Sequence, residues 1–203
     1  ALTAFGNAQH DTAQKKFGTT SMLFDGSGDE VKSDSTSTDW TLGTGDFTAE
    51  AWIRPATVGV QYMIVVGNSL SAASTKWRFY VDLNGNVNYG SSVAIKLTTS
   101  GVPISAGTWQ HISVNRISGN SVIYIDGVSR ASGADTNNYS ATEKLQIGAD
   151  LSPMQHPFHG HIDEILVVKG TGIRTGAFTP PTASYGGATT SATGTAISTS
   201  NTA

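Results

Sequence analysis

Apolar and polar residues alternate with period two through most of this chain, and Gly, Asn, Asp or Ser interrupts the alternation every few residues. The clearest instance runs from Gly107 through Thr-Trp-Gln-His-Ile-Ser-Val-Asn to Arg116, followed by Ser121-Val-Ile-Tyr-Ile-Asp-Gly-Val-Ser129. Two β-rich runs flank Asp126-Gly127, a pair that supplies the two positive-φ positions of a type I′ turn, so a tight hairpin is expected there. In Asp46–Pro55 the residues Phe47, Ala49, Ala51 and Ile53 fall on one face of a strand that Pro55 ends, because proline cannot donate to the ladder. Gln61–Gly67 is a short continuous apolar run, the pattern of a buried strand. Lys76–Leu83, a turn at Asn84-Gly85 and Asn86–Tyr89 make a second hairpin. Ser21–Phe24, a turn at Asp25–Gly28 and Asp29–Ser33 precede these strands; Lys144–Gly148 and Phe158–Lys169 follow them. No stretch carries a helical period. A dozen or so short strands separated by turns predict an all-β fold of two packed antiparallel sheets.

At 203 residues the chain is long enough for one undivided β domain. Residues 1–17 are mixed and polar and read as an N-terminal arm, residues 18–185 as the sandwich, and residues 186–203 as a tail. The tail holds one large apolar residue, Ile197, so alone it cannot bury enough surface to offset its chain entropy. It is expected to lie against neighbouring subunits. Only 13% of residues are charged, with 23 glycines and many Ser and Thr, a profile that fits an extracellular or particle-bound β protein. The net charge of −3 and the lack of any Lys/Arg run speak against a nucleic-acid partner. Without cysteine there is no disulfide or thiolate metal site. No apolar run approaches the roughly 18 residues of a membrane span, and the segment after Ala1 lacks a signal-peptide core, so membrane insertion is not expected.

Five blocks carry a resemblance. They are Phe17–Asp29, Leu42–Pro55 with its Gly-Asp-Phe-Thr-Ala-Glu-Ala-Trp-Ile-Arg-Pro, Thr108–Arg116, Ile123–Val128, and Phe158–Lys169 closed by Ala177-Phe-Thr-Pro-Pro-Thr182. In order and spacing the chain resembles, over about residues 14–183, the laminin-G-like jelly rolls of the concanavalin A-like lectin/glucanase superfamily. The Phe-Thr-Pro-Pro ending is similar to copies in tailed-bacteriophage virion proteins. The resemblance implies a non-enzymatic structural virion protein, foremost a capsid decoration or cement protein. Its partners would be other capsid or tail proteins and copies of itself. The alternatives are a tail-fibre or receptor-binding module that holds host glycan, and a secreted or cell-surface lectin-like domain.

The superfamily includes glucanases, which require two carboxylates at about 5 Å for a retaining mechanism. Relatives that cleave β-glucans place Glu, Asp and Glu at alternate positions of one strand. Here the comparable strand reads His161-Ile-Asp163-Glu164-Ile165; period two puts His161, Asp163 and Ile165 on one face and Glu164 on the other. One carboxylate stands where three are needed, so no catalytic residue is expected. Asp163 in an apolar strand needs a partner. The resemblance offers a structural calcium held by Asp163 with the Asp25-Gly26 turn, a hard-cation site of oxygen ligands; the plainer reading is an Asp hydrogen-bonded between strands. No other cofactor is called for. His156, His159 and His161 have ligand chemistry but no fourth ligand by spacing, and solvent-facing or interfacial roles are the alternative. Trp77, Tyr80, Tyr89, Tyr124 and Tyr139, with Asn84, Asn86, Asn88, Asn137 and Asn138 as polar partners, are candidates for glycan or partner contact, against core packing. Trp52 and Trp109 fall in the family's core motifs and are expected to be structural.

Overall fold

The alternating runs pair as fourteen antiparallel strands with a single 3-10 turn at Thr38–Trp40 among the described residues, which in this computed structural model are 1–68, 71–150 and 156–186. In chain order they are β1 (Leu2–Phe5), β2 (Gln9–Asp11), β3 (Ser21–Asp25), β4 (Glu30–Ser33), β5 (Phe47–Pro55), β6 (Met63–Gly67) and β7 (Trp77–Val81). There follow β8 (Val87–Ser91), β9 (Ile95–Thr98), β10 (Gln110–Ile117), β11 (Asn120–Ile125), β12 (Val128–Ala134), β13 (Gln146–Ile147) and β14 (His159–Lys169). Two seven-stranded sheets result. The first is ordered β1-β4-β13-β6-β7-β8-β9 and the second β12-β11-β10-β5-β14-β3-β2. This is the all-β, two-sheet jelly-roll sandwich expected from the sequence.

The core lies between the sheets and is built by the period-two rule. Phe47, Ala49, Ala51 and Ile53 of β5 all enter it, opposite Trp77, Phe79 and Val81 of β7. Ile112 and Val114 of β10 continue the layer, and the next inward position is Arg116, fully buried at the end of the sandwich. Its guanidinium donates to the carbonyls of Gly43, Gly45 and Asn137 at 2.7–2.8 Å and lies 3.7 Å from the Asp135 carboxylate. A buried cation is tolerable only with this degree of pairing. The β11–β12 hairpin turns on Asp126 and Gly127, with φ of 50° and 76°, as the Asp-Gly pair predicts.

Residues 1–17 do not stand off as an arm. β1 pairs with β4 at the edge of the first sheet, and β2 pairs with β3 at the edge of the second. An edge strand exposes unpaired N–H and C=O groups, and this segment supplies partners to both edges in succession. The crossover is at Gly6, φ 70°, where an added Cβ would sit 2.2 Å from the Gly28 carbonyl oxygen. The second correction concerns β14. Its pairing with β5 shifts between Asp163 and Leu166, and Glu164 has φ 49°. This β-bulge breaks the alternation, so Ile162 and Ile165 both enter the core. Of the tail, residues 187–203 lie outside the described residues.

Candidate functional site

The outward face of the second sheet carries a lattice of polar side chains on three adjacent strands. Asn115 pairs across with Thr48, Ser113 with Glu50, and His111 with Trp52, which pairs in turn with Asp163. Solvent does not reach most of them: Thr48, Glu50, His111 and Ser113 are all fully buried. The chain itself covers this face. Arg174 donates to both oxygens of Glu50 at 2.7 and 2.9 Å, the Tyr185 hydroxyl donates to Glu50 at 2.6 Å, and Ser113 adds a bond at 3.1 Å. The backbone N–H groups of Ile173 and Arg174 donate to Thr48 Oγ1 and Asn115 Oδ1. Phe178 packs edge-on against His111 and Tyr124 and donates its N–H to the Gly127 carbonyl. Burial alone would raise the Glu50 pKa, but Arg174, His111 and Tyr185 together hold it below the usual range. Burial pushes His111 down to about 4 against the pull of Glu50.

The carboxylates near the bulge are also engaged in holding chain segments. Asp163 accepts from the backbone N–H groups of Lys16 and Phe17 through Oδ2 and of Glu164 through Oδ1. Glu164 accepts from the Tyr185 N–H at 2.7 Å. Desolvation raises both pKa values.

These contacts decide several expectations from the sequence. Asp25 pairs with His159 across the β3–β14 ladder, four residues from Asp163, a separation of roughly 13 Å at strand rise. Asp25 instead accepts from Asn7 and from the Ser27 N–H, and Gly26 packs against His159. Asp25, Gly26 and Asp163 therefore do not fit one calcium ion, and Asp163 follows the hydrogen-bonded reading. The three histidines separate as well: His156 sits by Asp150 at 2.7 Å, His159 by Thr57 at 3.1 Å, and His161 by Asp11 at 2.8 Å. Among the described residues no group of three or more His, Asp or Glu could hold a metal.

All five aromatic candidates are buried, which is against their serving as an open glycan platform. Trp77, Tyr89 and Tyr139 are wholly inside, Trp77 donating to the Trp40 carbonyl and Tyr89 packed on Phe47 and Tyr139. Tyr124 is 3% exposed beneath Phe178. Inward strand positions bury aromatic rings because their large apolar area is worth most there. Tyr124 and Tyr80 both point outward yet are covered, Tyr124 on the second sheet and Tyr80, 2% exposed beneath the Arg78 guanidinium, on the first sheet.

That outward face carries a cleft of about 210 Å³. Arg78 and Tyr80 of β7 form its floor, the β8–β9 turn (Ser92, Val93, Ala94, Ile95) one wall, and Tyr62 with His156 the other. The local sequence explains the opening. Arg78 is flanked in register by Gly67 of β6 and Gly90 of β8, so neither ladder partner puts a side chain beside it, and it stays 15% exposed. A Cβ at Gly90 would lie 2.3 Å from the Ala94 carbonyl oxygen, so glycine allows the turn to curl closely over the sheet. The Arg78 guanidinium lies 4.7 Å above the Tyr80 ring and its Nη1 donates to Asp150 at 3.2 Å, while its Nε has no partner. Asp150, 1% exposed, also receives His156 Nδ1. The Tyr62 ring, 40% exposed, is supported edge-on by His156 at 5.5 Å and leans on Tyr80 at 6.1 Å. Gln146 and Asn88 on the same sheet each bury an acceptor oxygen without a partner.

A family model for concanavalin A-like lectins and glucanases matches residues 25–171. The chain belongs to the concanavalin A-like lectin/glucanase superfamily. The superfamily match stops short of Lys16 and Phe17 at one end and of Arg174 to Tyr185 at the other, so the segments that close the second sheet lie outside it. No curated protein matches the chain at the sequence level.

Similar solved structures share the concanavalin A-like fold at low identity. Domain 4 of an extracellular GH43 arabinanase from Geobacillus stearothermophilus, solved with arabinotriose, has TM-score 0.66 at 16% identity, over 86% of this chain and 84% of that one. A heptameric SAP-like pentraxin from Limulus polyphemus has TM-score 0.54 at 14% identity, over 87% and 89%. The enzymatically active domain of tailspike protein 2 from bacteriophage CBA120 has TM-score 0.59 at 12% identity, over 83% of this chain and 28% of that one. The fold thus occurs in enzymatic and non-enzymatic proteins alike. Among the described residues no helix is long and apolar enough to cross a membrane.

Sequence reasoning missed Tyr62, Arg78 and Glu50. Tyr62 fell inside a run read as a buried strand. Arg78 and Glu50 sit at outward positions indistinguishable from any solvated face, since their partners are 72 and 124 residues away.

Proposed function

We propose that this chain is a non-catalytic carbohydrate-binding module that holds a sugar in the cleft over Arg78 and Tyr80. The observation that carries the reading is the 40% exposed Tyr62 ring standing in one cleft with the partly exposed Arg78. A sugar presents a C–H face that packs on an aromatic plane and hydroxyls that satisfy donors and acceptors, and a pocket with one platform and a few fixed polar groups suits it. Binding without hydrolysis follows from where the carboxylates are. None of the described residues lining the cleft is an Asp or Glu; Asp150 behind it is held by Arg78 and His156, and Glu50 and Glu164 are both held by Tyr185.

Of the virion roles expected from the sequence, glycan recognition by a tail fibre or receptor-binding module is the one this cleft supports. A secreted or cell-surface lectin-like domain would use the same site. Capsid decoration, the role the resemblance implies first, would use the tail, whose residues 187–203 lie outside the described residues. The test is a glycan array followed by titration of the best ligand against Tyr62→Ala and Arg78→Ala. Each variant is expected to lose about tenfold or more in affinity with no release of reducing ends by the parent chain. Undiminished binding by both variants, or turnover, would overturn the reading.

A further inference from the structure

Resting on that reading, the geometry points to a substrate class: we infer that the cleft selects a neutral sugar bearing a methyl group, whether as a 6-deoxy carbon or within an N-acetyl group. Two observations carry this. The first is the charge balance of the lining. Its two basic side chains, Arg78 and His156, converge on the one buried carboxylate of Asp150, at 3.2 and 2.7 Å. Arg78, the one permanent cation of the lining, is thus already ion-paired. A carboxylated or sulfated sugar would give up its hydration against a lining whose Arg is already paired and which holds no Lys, a loss that recognition sites for anions avoid by supplying an unpaired Arg or Lys.

The second observation is the wall opposite Tyr62. Val93 and Ile95 are 56% and 58% exposed, Ala94 lies between them, and all three line the cleft. Large aliphatic side chains this open on a short turn have apolar surface to cover. An all-hydroxyl sugar covers it poorly, because hydroxyls against Val and Ile forfeit their hydrogen bonds to water. A sugar with its C–H face on Tyr62 and its hydroxyls towards Arg78 turns its opposite edge to this wall, and a methyl substituent there is buried between Val93 and Ile95. Burial of one such group is worth about a fourfold gain in affinity.

The probes are four methyl glycosides titrated by protein-observed NMR: rhamnoside, N-acetylglucosaminide, glucoside and glucuronide. The rhamnoside, the N-acetylglucosaminide or both are expected to bind about fourfold tighter than the glucoside, and which of them does so identifies the source of the methyl group. The glucuronide is expected to gain nothing over the glucoside. In Val93→Ser/Ile95→Ser, both exposed and outside the core, the preference for the methyl-bearing sugars over the glucoside should collapse to parity. Binding of all four with equal affinity, tighter binding of the glucuronide, or a preference that survives the double substitution would overturn this inference and leave the carbohydrate reading intact. No binding by any glycoside or by longer oligosaccharides of the array would overturn both.

Discussion

The two outward faces of the sandwich begin from the same kind of sequence, polar residues alternating with core residues, and end in opposite states. On the second sheet the polar lattice around Glu50 is closed by the chain's own segments. Lys16 and Phe17 cap Asp163 from one side, and Arg174 to Tyr185 cap Glu50 and Glu164 from the other. On the first sheet a cleft stays open over Arg78, with the 40% exposed Tyr62 beside it. Both covering segments lie outside the residues that match the superfamily, 25–171. An outward sheet face can therefore anchor segments of its own chain or stay open to a ligand, and whether the chain covers it tells which. Unpaired polar atoms do not separate the faces: the Trp52 indole and one ring nitrogen each of His111 and His161 are buried without partners on the second, as Arg78 Nε, Asn88 Oδ1 and Gln146 Oε1 are on the first.

The largest effect should come from removing the centre of the closed face. Glu50→Ala leaves Arg174 and Tyr185 without their acceptor, and breaking a buried ion pair costs about 3–5 kcal/mol. Urea denaturation should record that loss, while sugar affinity of the folded protein stays within about twofold; a change below 1 kcal/mol would mean the segment is held by other contacts. Acid should weaken the same face. His111 is neutral in the folded state down to about pH 4 but protonates near 6.5 when unfolded, so the unfolded chain binds the extra proton in between. Stability attributable to His111 is therefore full above about pH 6.5 and falls by about 3 kcal/mol as pH approaches 4. Glu50, its pKa depressed, adds loss in the same direction below the ordinary carboxylate range, whereas Asp163 and Glu164, both raised, act against it. The decline should be cleanest between pH 6.5 and 5, and His111→Gln should flatten it. An unchanged slope in that variant would assign the titration elsewhere.

Tyr185→Phe is a smaller and more selective cut. It removes only the hydroxyl bond to Glu50, at 2.6 Å, and a hydrogen bond to a charged group contributes about 1.5–3 kcal/mol. Its loss and that of Arg174→Gln should be non-additive in a double-mutant cycle, since both partners meet on one carboxylate. Simple additivity would argue against a shared anchor.

Much of the fold was legible because it depends on local rules. Asp126-Gly127 imposed its hairpin through two positive φ values, and the alternation in β5 identified four core residues correctly. What was not legible depends on distant pairing. Leu2–Phe5 and Gln9–Asp11 become strands because two edges need partners, which no pattern within residues 1–17 records. The bulge at Glu164 overrode period two where it mattered for counting carboxylates. Tyr89 and Tyr139 had the composition of a sugar platform, yet they point inward, and one sequence cannot say which side of a strand is the core when both sides carry aromatics. The cleft itself is made by absence, the two glycines flanking Arg78 across the sheet, and their adjacency exists only once β6, β7 and β8 are in register.

The measurement that bears most directly on the contrast between the faces is residue-resolved NMR shift mapping with the best ligand from the glycan array. Saturable shifts centred on Tyr62, Arg78, Tyr80 and Val93–Ile95, with Glu50, His111 and Arg174 unmoved, are the predicted result. Shifts centred on the second sheet, around Trp52, Trp109 and His161, would contradict it.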